Sequence, residues 1–382
     1  MTLPQYTPSQ LVERGSMKWT RFPNTIGAFV AEADFGVAPP IHKALEEMAN
    51  KELFAYTPEW LLKDVQRATS DFYSREYEWN FPPENVSVIP DVVTGFVAAM
   101  NFFSEPDWPI VVMTPAYMPF LSAPERLNRR VIEVPMKKSD GEWRADLPAL
   151  RNALQSGGLL VLCNPHNPIG KVYLRQELAS ISEVVSECGA RVFSDEIHSP
   201  LIHGNATHVP YASISTTTAA HTVTSTSASK TFNIPGLKCA QLIFSNEADK
   251  DRWAEVGYFT SHTTASPGMV ANIAAYDDGG PWLKELLSQL RRNTELFTKL
   301  VAEKLPLADY LPPVGTYLAW LDLTAYGCDD SIAERLRKNA RLSVTNGRDC
   351  GEIGSGCVRV NLATPEPIVT EIVDRIAQEV AE

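Results

Sequence analysis

From Val86 to Asn246 the chain repeats one unit: a short β-branched or apolar run, a polar turn, then often a stretch with helical periodicity. The runs are Val86–Ile89, Ile110–Met113, Val131–Val134, Leu159–Cys163, Arg191–Phe193, Thr222–Ser225 and Gln241–Phe244. Several are apolar throughout instead of alternating, which is what strands covered on both faces require. The pattern predicts an α/β unit with a mostly parallel seven-stranded sheet sandwiched by helices.

After Pro281 the texture changes. A long amphipathic stretch from Trp282 to Lys304 leads to a Pro-rich break, three short strands (Tyr317–Leu323, Leu342–Thr345, Val358–Leu362) and a closing helix over Pro367–Val380. This reads as a smaller α+β domain, and residues 1–39, rich in Pro and turn signals, are expected to pack with it. The predicted division is therefore 1–39 as an N-terminal segment, 40–285 as the large domain and 286–382 as the small one.

Composition narrows the class. The 382 residues are 44% apolar and 21% charged, ordinary for a globular protein with a sizeable core. Lys and Arg number 34 against 46 Asp and Glu, and the net charge of -12 argues against nucleic acid or an anionic membrane as partner. No apolar run reaches spanning length, and Met1–Gln10 has neither a basic nor an apolar leader segment, so a cytoplasmic protein is expected. Six scattered cysteines with no C-x-x-C pair fit reduced thiols, neither a disulfide framework nor a metal site.

In open α/β sheets ligands bind beyond the carboxyl ends of the strands, so the residues following each run matter most. Lys230 follows one such strand in Ser227-Ala228-Ser229-Lys230-Thr231-Phe232-Asn233, and Asp195 ends another in Val192-Phe193-Ser194-Asp195-Glu196-Ile197-His198. Taken singly, the lysine is a solvated loop cation and the aspartate a cap for the next segment. Together they supply what pyridoxal 5'-phosphate needs: an amine that forms a Schiff base, and a carboxylate that keeps the ring nitrogen protonated.

With Cys163-Asn164-Pro165-His166-Asn167-Pro168-Ile169-Gly170, these segments form three ordered signatures that resemble fold-type I pyridoxal-phosphate enzymes. More narrowly they resemble the cystathionine β-lyase-like branch of the class I/II aminotransferase family, with an aspartate-aminotransferase-like fold. Pro115-Ala116-Tyr117, Ala31-Glu32-Ala33-Asp34-Phe35 and Val358-Arg359-Val360-Asn361 extend the likeness over nearly the whole chain. The resemblance implies that Lys230 holds the cofactor and shuttles the substrate Cα proton. It implies that Asp195 pairs with the ring nitrogen, that Asn167 donates to the ring phenolate with His198 nearby, and that Tyr117 stacks on the ring.

The phosphate would rest on the N–H groups of Val92 and Val93, completed by Ser227 and Lys238, with Ser229 a further candidate. Asp91 stands where the family usually has glycine, so its charge must point away from the phosphate or be compensated. Tyr56 matches a tyrosine that reaches the phosphate of a neighbouring subunit, which implies a homodimer with shared sites. Arg359 would clamp the substrate α-carboxylate.

The spelling of the three signatures resembles carbon–sulfur β-lyases more than general aminotransferases. The expected reaction is therefore α,β-elimination from cystathionine or another S-substituted cysteine, giving thiol, pyruvate and ammonia, as in the sulfur step of methionine biosynthesis. Amino transfer to a 2-oxo acid is the alternative, and a cofactor-binding regulatory protein a remoter one.

Overall fold

The computed structural model describes residues 2–381. Seven strands form the main sheet: β1 (Val86–Ile89), β2 (Ile110–Thr114), β3 (Val131–Pro135), β4 (Leu159–Cys163), β5 (Arg191–Asp195), β6 (Thr222–Thr226) and β7 (Ala240–Phe244). Their spatial order is β1-β7-β6-β5-β4-β2-β3, with β7 antiparallel to both its neighbours and the other pairings parallel. The expected seven-stranded, mostly parallel sheet is present.

The apolar runs reflect burial on both faces. Val112, Val161 and Phe193 pack to one side with Phe96 and Met100, while Val111, Leu160 and Val192 pack to the other with Leu150, Leu178 and Ile181. Each such side chain contributes about 1.5–3 kcal/mol of burial, which is why the strands carry so few polar residues before their carboxyl ends.

Helices α1 (Pro39–Asn50), α2 (Glu59–Tyr77), α3 (Val92–Phe102) and α4 (Ser266–Asp278) belong with this sheet or pack beside it. The 25-residue α5 (Gly280–Lys304) follows at once and buries Trp282, Leu286, Leu290, Phe297 and Val301, one face at helical spacing. A second sheet of four antiparallel strands takes the order Asp309–Tyr310, Leu318–Asp322, Cys357–Asn361, Thr345–Asn346, and α6 (Glu366–Ala381) closes the chain.

Two local departures from the sequence reading have clear causes. The expected strand Leu342–Thr345 is split: Leu342–Ser343 pairs in parallel with Ile26–Gly27, and past Val344 the chain changes partner to join the second sheet. An unexpected hairpin, Lys137–Ser139 with Glu142–Arg144, turns through Asp140 and Gly141, both at positive φ. Asp-Gly is the dipeptide that favours such a two-residue turn.

The N-terminal segment touches two cores. Leu11, Trp19, Ile26 and Ala28 pack with Phe297, Leu342 and Ile372, whereas Ala31, Ala33 and Phe35 pack with Phe72, Phe232 and Tyr276. Residues 28–36 thus cross the seam between the two sheets. Among the described residues no helix is long and apolar enough to cross a membrane.

Candidate active site

The carboxyl ends of β1, β5 and β6 and the loop after β4 surround a cavity of about 240 Å³. Its wall contains Asp91, Val92, Val93, Tyr117, Asn167, Asp195, His198, Ser229, Lys230 and Lys238. Parallel pairing sets Cys163 beside Asp195 and Asp195 beside Ser225, so the last side chain of β5 arrives at the rim between two neighbouring strands.

Asp195 is buried at 3% exposure. Its Oδ1 accepts the Ile197 N–H at 3.1 Å, and its Oδ2 accepts the Cys163 thiol at 3.5 Å. Burial pushes its pKa up to about 6, and the hydrogen bonds offset only part of that rise. Lys230, on the loop after β6, approaches the Ala31 carbonyl at 3.4 Å. Burial first, and then the Arg359 charge, lower its pKa to about 8, so far more of the free amine exists near neutrality than for a solvated lysine.

Asn167 and Arg359 are coupled. Arg359 lies in the middle of Cys357–Asn361, a strand paired on both sides, and is 2% exposed. One guanidinium nitrogen donates to Asn167 Oδ1 at 3.1 Å, and the other to Phe29 O at 2.7 Å and Thr345 Oγ1 at 3.0 Å. With its carbonyl taken, Asn167 keeps its amide nitrogen to donate to another acceptor. His166, next but one to Pro168, is a positioning residue. Its Nε2–H donates to Pro115 O at 2.8 Å and its Nδ1 accepts the Tyr173 hydroxyl at 2.9 Å. Burial lowers the His166 pKa to about 4, so the ring is neutral and this donor–acceptor pattern is fixed. It ties the loop bearing Asn167 to the loop bearing Tyr117, whose ring stands nearly perpendicular to that of Phe120 at 5.4 Å.

At the other end of the cavity α3 begins. As first helical residues, Val92 and Val93 have N–H groups without intrahelical acceptors, a ready seat for an anion. Asp91 is the N-cap: Oδ1 accepts the Thr94 N–H at 2.8 Å, and Oδ2 accepts Lys238 Nζ at 2.9 Å. The compensation that the sequence required is therefore supplied by Lys238.

Not every expected residue reaches the wall. Ser227 does not: its hydroxyl donates to the Cys239 carbonyl at 2.7 Å and accepts the Ser229 N–H, stitching the lysine loop to β7. Ser229, the further candidate, occupies the wall instead. Tyr56 lies outside the cavity and is 90% exposed.

The sequence reading missed residues that act through their backbone, such as Phe29 and Ala31. It also assigned no role to Asp34, whose buried ion pair with Lys18 at 2.7 Å anchors the segment carrying them. A carbonyl contact leaves no side-chain signature to read.

Residues 27–376 match the aminotransferase class I and II family. The chain belongs to that family. It is 34% identical to a cystathionine beta-lyase of Corynebacterium glutamicum, over 96% of this chain and 97% of that one. It is 33% identical to a cystathionine beta-lyase of Bacillus subtilis, over 91% and 92%. The fold superposes on cystalysin from Treponema denticola, whose structure contains pyridoxal 5'-phosphate, with a TM-score of 0.93 and 25% identity, covering 100% of this chain and 99% of that one. A pyridoxal-phosphate-bound C–S lyase from Staphylococcus hominis gives 0.90 at 26% identity, covering 97% and 96%. The residues present fit such a cofactor: amine, acid, aromatic ring and anion seat line one cavity. His198 Nδ1 in the wall is moreover buried without a partner.

Proposed function

We propose that the chain is a pyridoxal-phosphate-dependent carbon–sulfur β-lyase, cleaving cystathionine or another S-substituted cysteine to a thiol, pyruvate and ammonia. The observation that carries this reading is the convergence of Lys230 and Asp195, from different strands, on one cavity. The names of the full-length relatives direct it to β-elimination.

Pyridoxal phosphate, when bound, supplies an aldehyde for the substrate amine and a sink for the electron pair left at Cα. Lys230 Nζ would hold the cofactor and, with its lowered pKa, would serve as the general base that takes the substrate Cα proton. Asp195, mostly ionised at neutral pH, would keep a proton on the ring nitrogen. Asn167 Nδ2 donates to the ring oxygen, and Tyr117 offers its face for stacking. Arg359 receives the substrate α-carboxylate, orienting the Cα–H bond towards Lys230. With the sulfur on Cβ, the electron pair left at Cα would form a Cα–Cβ double bond as the Cβ–S bond breaks, the thiolate would leave and take up a proton, and one water would hydrolyse the released three-carbon enamine to pyruvate and ammonia.

Val92, Val93, Ser229 and Lys238 seat the phosphate in this reading, with Ser227 holding the loop behind them and His198 facing the ring side of the cavity. Holoenzyme given cystathionine should release pyruvate and free thiol in equal amounts. Amino transfer to a 2-oxo acid with no thiol released would overturn the lyase reading in favour of an aminotransferase. Release of thiol as homocysteine would serve methionine synthesis.

The same reading extends to assembly and place. A cytoplasmic location is supported by six free cysteines, which suit a reducing compartment, and a homodimer by the exposed aromatics Phe54, Tyr56, Tyr258 and Phe259. Residues 40–285 would form the cofactor domain and 286–382, joined by 1–39, the smaller one. The packing of Trp19 and Ile26 against Phe297 and Leu342 supports that grouping.

A further inference from the structure

The phosphate end of the cavity contains an acid that an anion seat does not need. Of the side chains in the wall, only Lys230 and Lys238 are cations, and Lys230 is committed to the aldehyde end. Lys238 is already matched by Asp91 at 2.9 Å, with side-chain exposures of 56% and 37%. The seat therefore offers two helix N–H groups and a hydroxyl, but no net positive charge.

Asp91 is also held in place. Oδ1 takes both the N–H and the hydroxyl of Thr94 at 2.8 and 2.9 Å, so the carboxylate is pinned at the start of α3 and cannot swing clear. Burial pushes its pKa up, but Lys238 and the Thr94 donors hold it below the usual carboxylate range, so it is ionised at neutral pH.

Resting on the pyridoxal-phosphate reading above, we propose that Asp91 sets the affinity of the phosphate seat. Its fixed carboxylate neutralises Lys238 and repels the phosphate dianion, so the cofactor is retained chiefly through Lys230 and the ring contacts and exchanges readily at its phosphate end. The side chain has a second, separable job as N-cap. Asn and Ser cap a helix about as well as Asp, so D91N and D91S remove the charge and keep the cap.

The test uses the full chain freed of cofactor, titrated separately with pyridoxal 5'-phosphate and with pyridoxal, with binding followed by visible absorption and by calorimetry. D91N and D91S are expected to bind pyridoxal phosphate at least about tenfold more tightly than the unaltered protein, the scale of one charge removed a few ångströms from a dianion near a surface. Affinity for pyridoxal, which has no phosphate, should stay within about twofold. Affinity of D91N for pyridoxal phosphate should also fall more steeply with added salt, because Lys238 then faces the phosphate uncompensated. Equal or weaker binding of pyridoxal phosphate by both variants would overturn the inference, as would an equal gain for both ligands. If the unaltered protein binds neither ligand, it is the cofactor reading itself that fails.

Discussion

An amine that must attack a carbonyl near neutrality needs a free electron pair, and burial provides it at Lys230. With the pKa lowered to about 8, the reaction of cofactor-free protein with pyridoxal should speed up as pH rises through about 8 and then level off. Borohydride trapping at each pH measures this, and a midpoint near the ordinary lysine value would mean the amine is solvated. Asp195 shows the opposite effect of the same burial. Its folded pKa of about 6 lies above the ordinary 3.8, so the folded state binds the proton more tightly and this group removes stability as pH rises from about 4 through 6. Cofactor-free Asp195→Asn should therefore melt above the unaltered protein at pH 7, by roughly 1 °C per kcal/mol relieved in a chain of this length, with the gap closing near pH 4. An equal gap at both values would show that ionisation is not its cause. Arg359→Lys keeps charge but not the two-pronged grip, so KM for the amino acid should rise at least about tenfold while kcat changes far less. At this scale the sequence was legible through combinations: Lys230 and Asp195, bland when read singly, pointed to one site as a pair, and only the resemblance of the surrounding motifs added Asn167, which lines the same cavity, and Arg359, which donates to it. For Ser227 the motif could not tell where the hydroxyl is bonded, because a serine reads the same whether it faces a cavity or, as here, a neighbouring carbonyl.

Among elements, the seven strands were legible because burial on both faces demands unbroken apolar runs, and α5 because its buried face repeats at helical spacing. The 28–36 segment was not, since it forms neither ladder nor helix and works through carbonyls. Phe29 O receives Arg359, Ala31 O receives Lys230 and the Tyr317 hydroxyl, and Val30 O and Glu32 O receive Asn361. Asn233 also bonds Ala33 at both its N–H and carbonyl, and a buried ion pair anchors the strap from the other side. Lys18 Nζ meets Asp34 Oδ2 at 2.7 Å, and Trp19 Nε1 donates to Asp34 Oδ1 at 2.8 Å, all three side chains buried. Removing one partner strands the other charge, at a typical cost of about 3–5 kcal/mol. Lys18→Met should thus lower the denaturation midpoint markedly. Because the strap carries the Arg359 acceptor, KM should also rise although residue 18 lies outside the cavity wall. Stability lost with KM unchanged would separate the strap from the site.

At the scale of the whole molecule, the feature that a single chain leaves unexplained is its exposed aromatic surface. Phe54, Tyr56, Tyr258 and Phe259 are 70%, 90%, 66% and 82% exposed. They share one region, because the Thr57 hydroxyl meets that of Ser266 at 2.7 Å, and Ala265 N–H donates to the Lys238 carbonyl. The aromatic surface therefore borders the phosphate seat. Clustered exposed aromatics mark interaction surfaces, and a second copy placed here would bring its own Tyr56 towards this seat. The sequence pointed to Tyr56 only by resemblance, since no single-chain pattern distinguishes an exposed interface tyrosine from an exposed loop tyrosine. Sedimentation of the unaltered protein should give twice the chain mass. Phe259→Glu, which buries a charge at any such interface and lies outside the cavity wall, should shift the population to single chains. Pyridoxal phosphate should then dissociate faster, while Tyr56→Phe, which removes only the hydroxyl proposed to reach a partner's phosphate, should stay dimeric and bind the cofactor more weakly. If Phe259→Glu remains dimeric with unchanged cofactor retention, this surface does not join two copies, and the phosphate seat is complete within one chain.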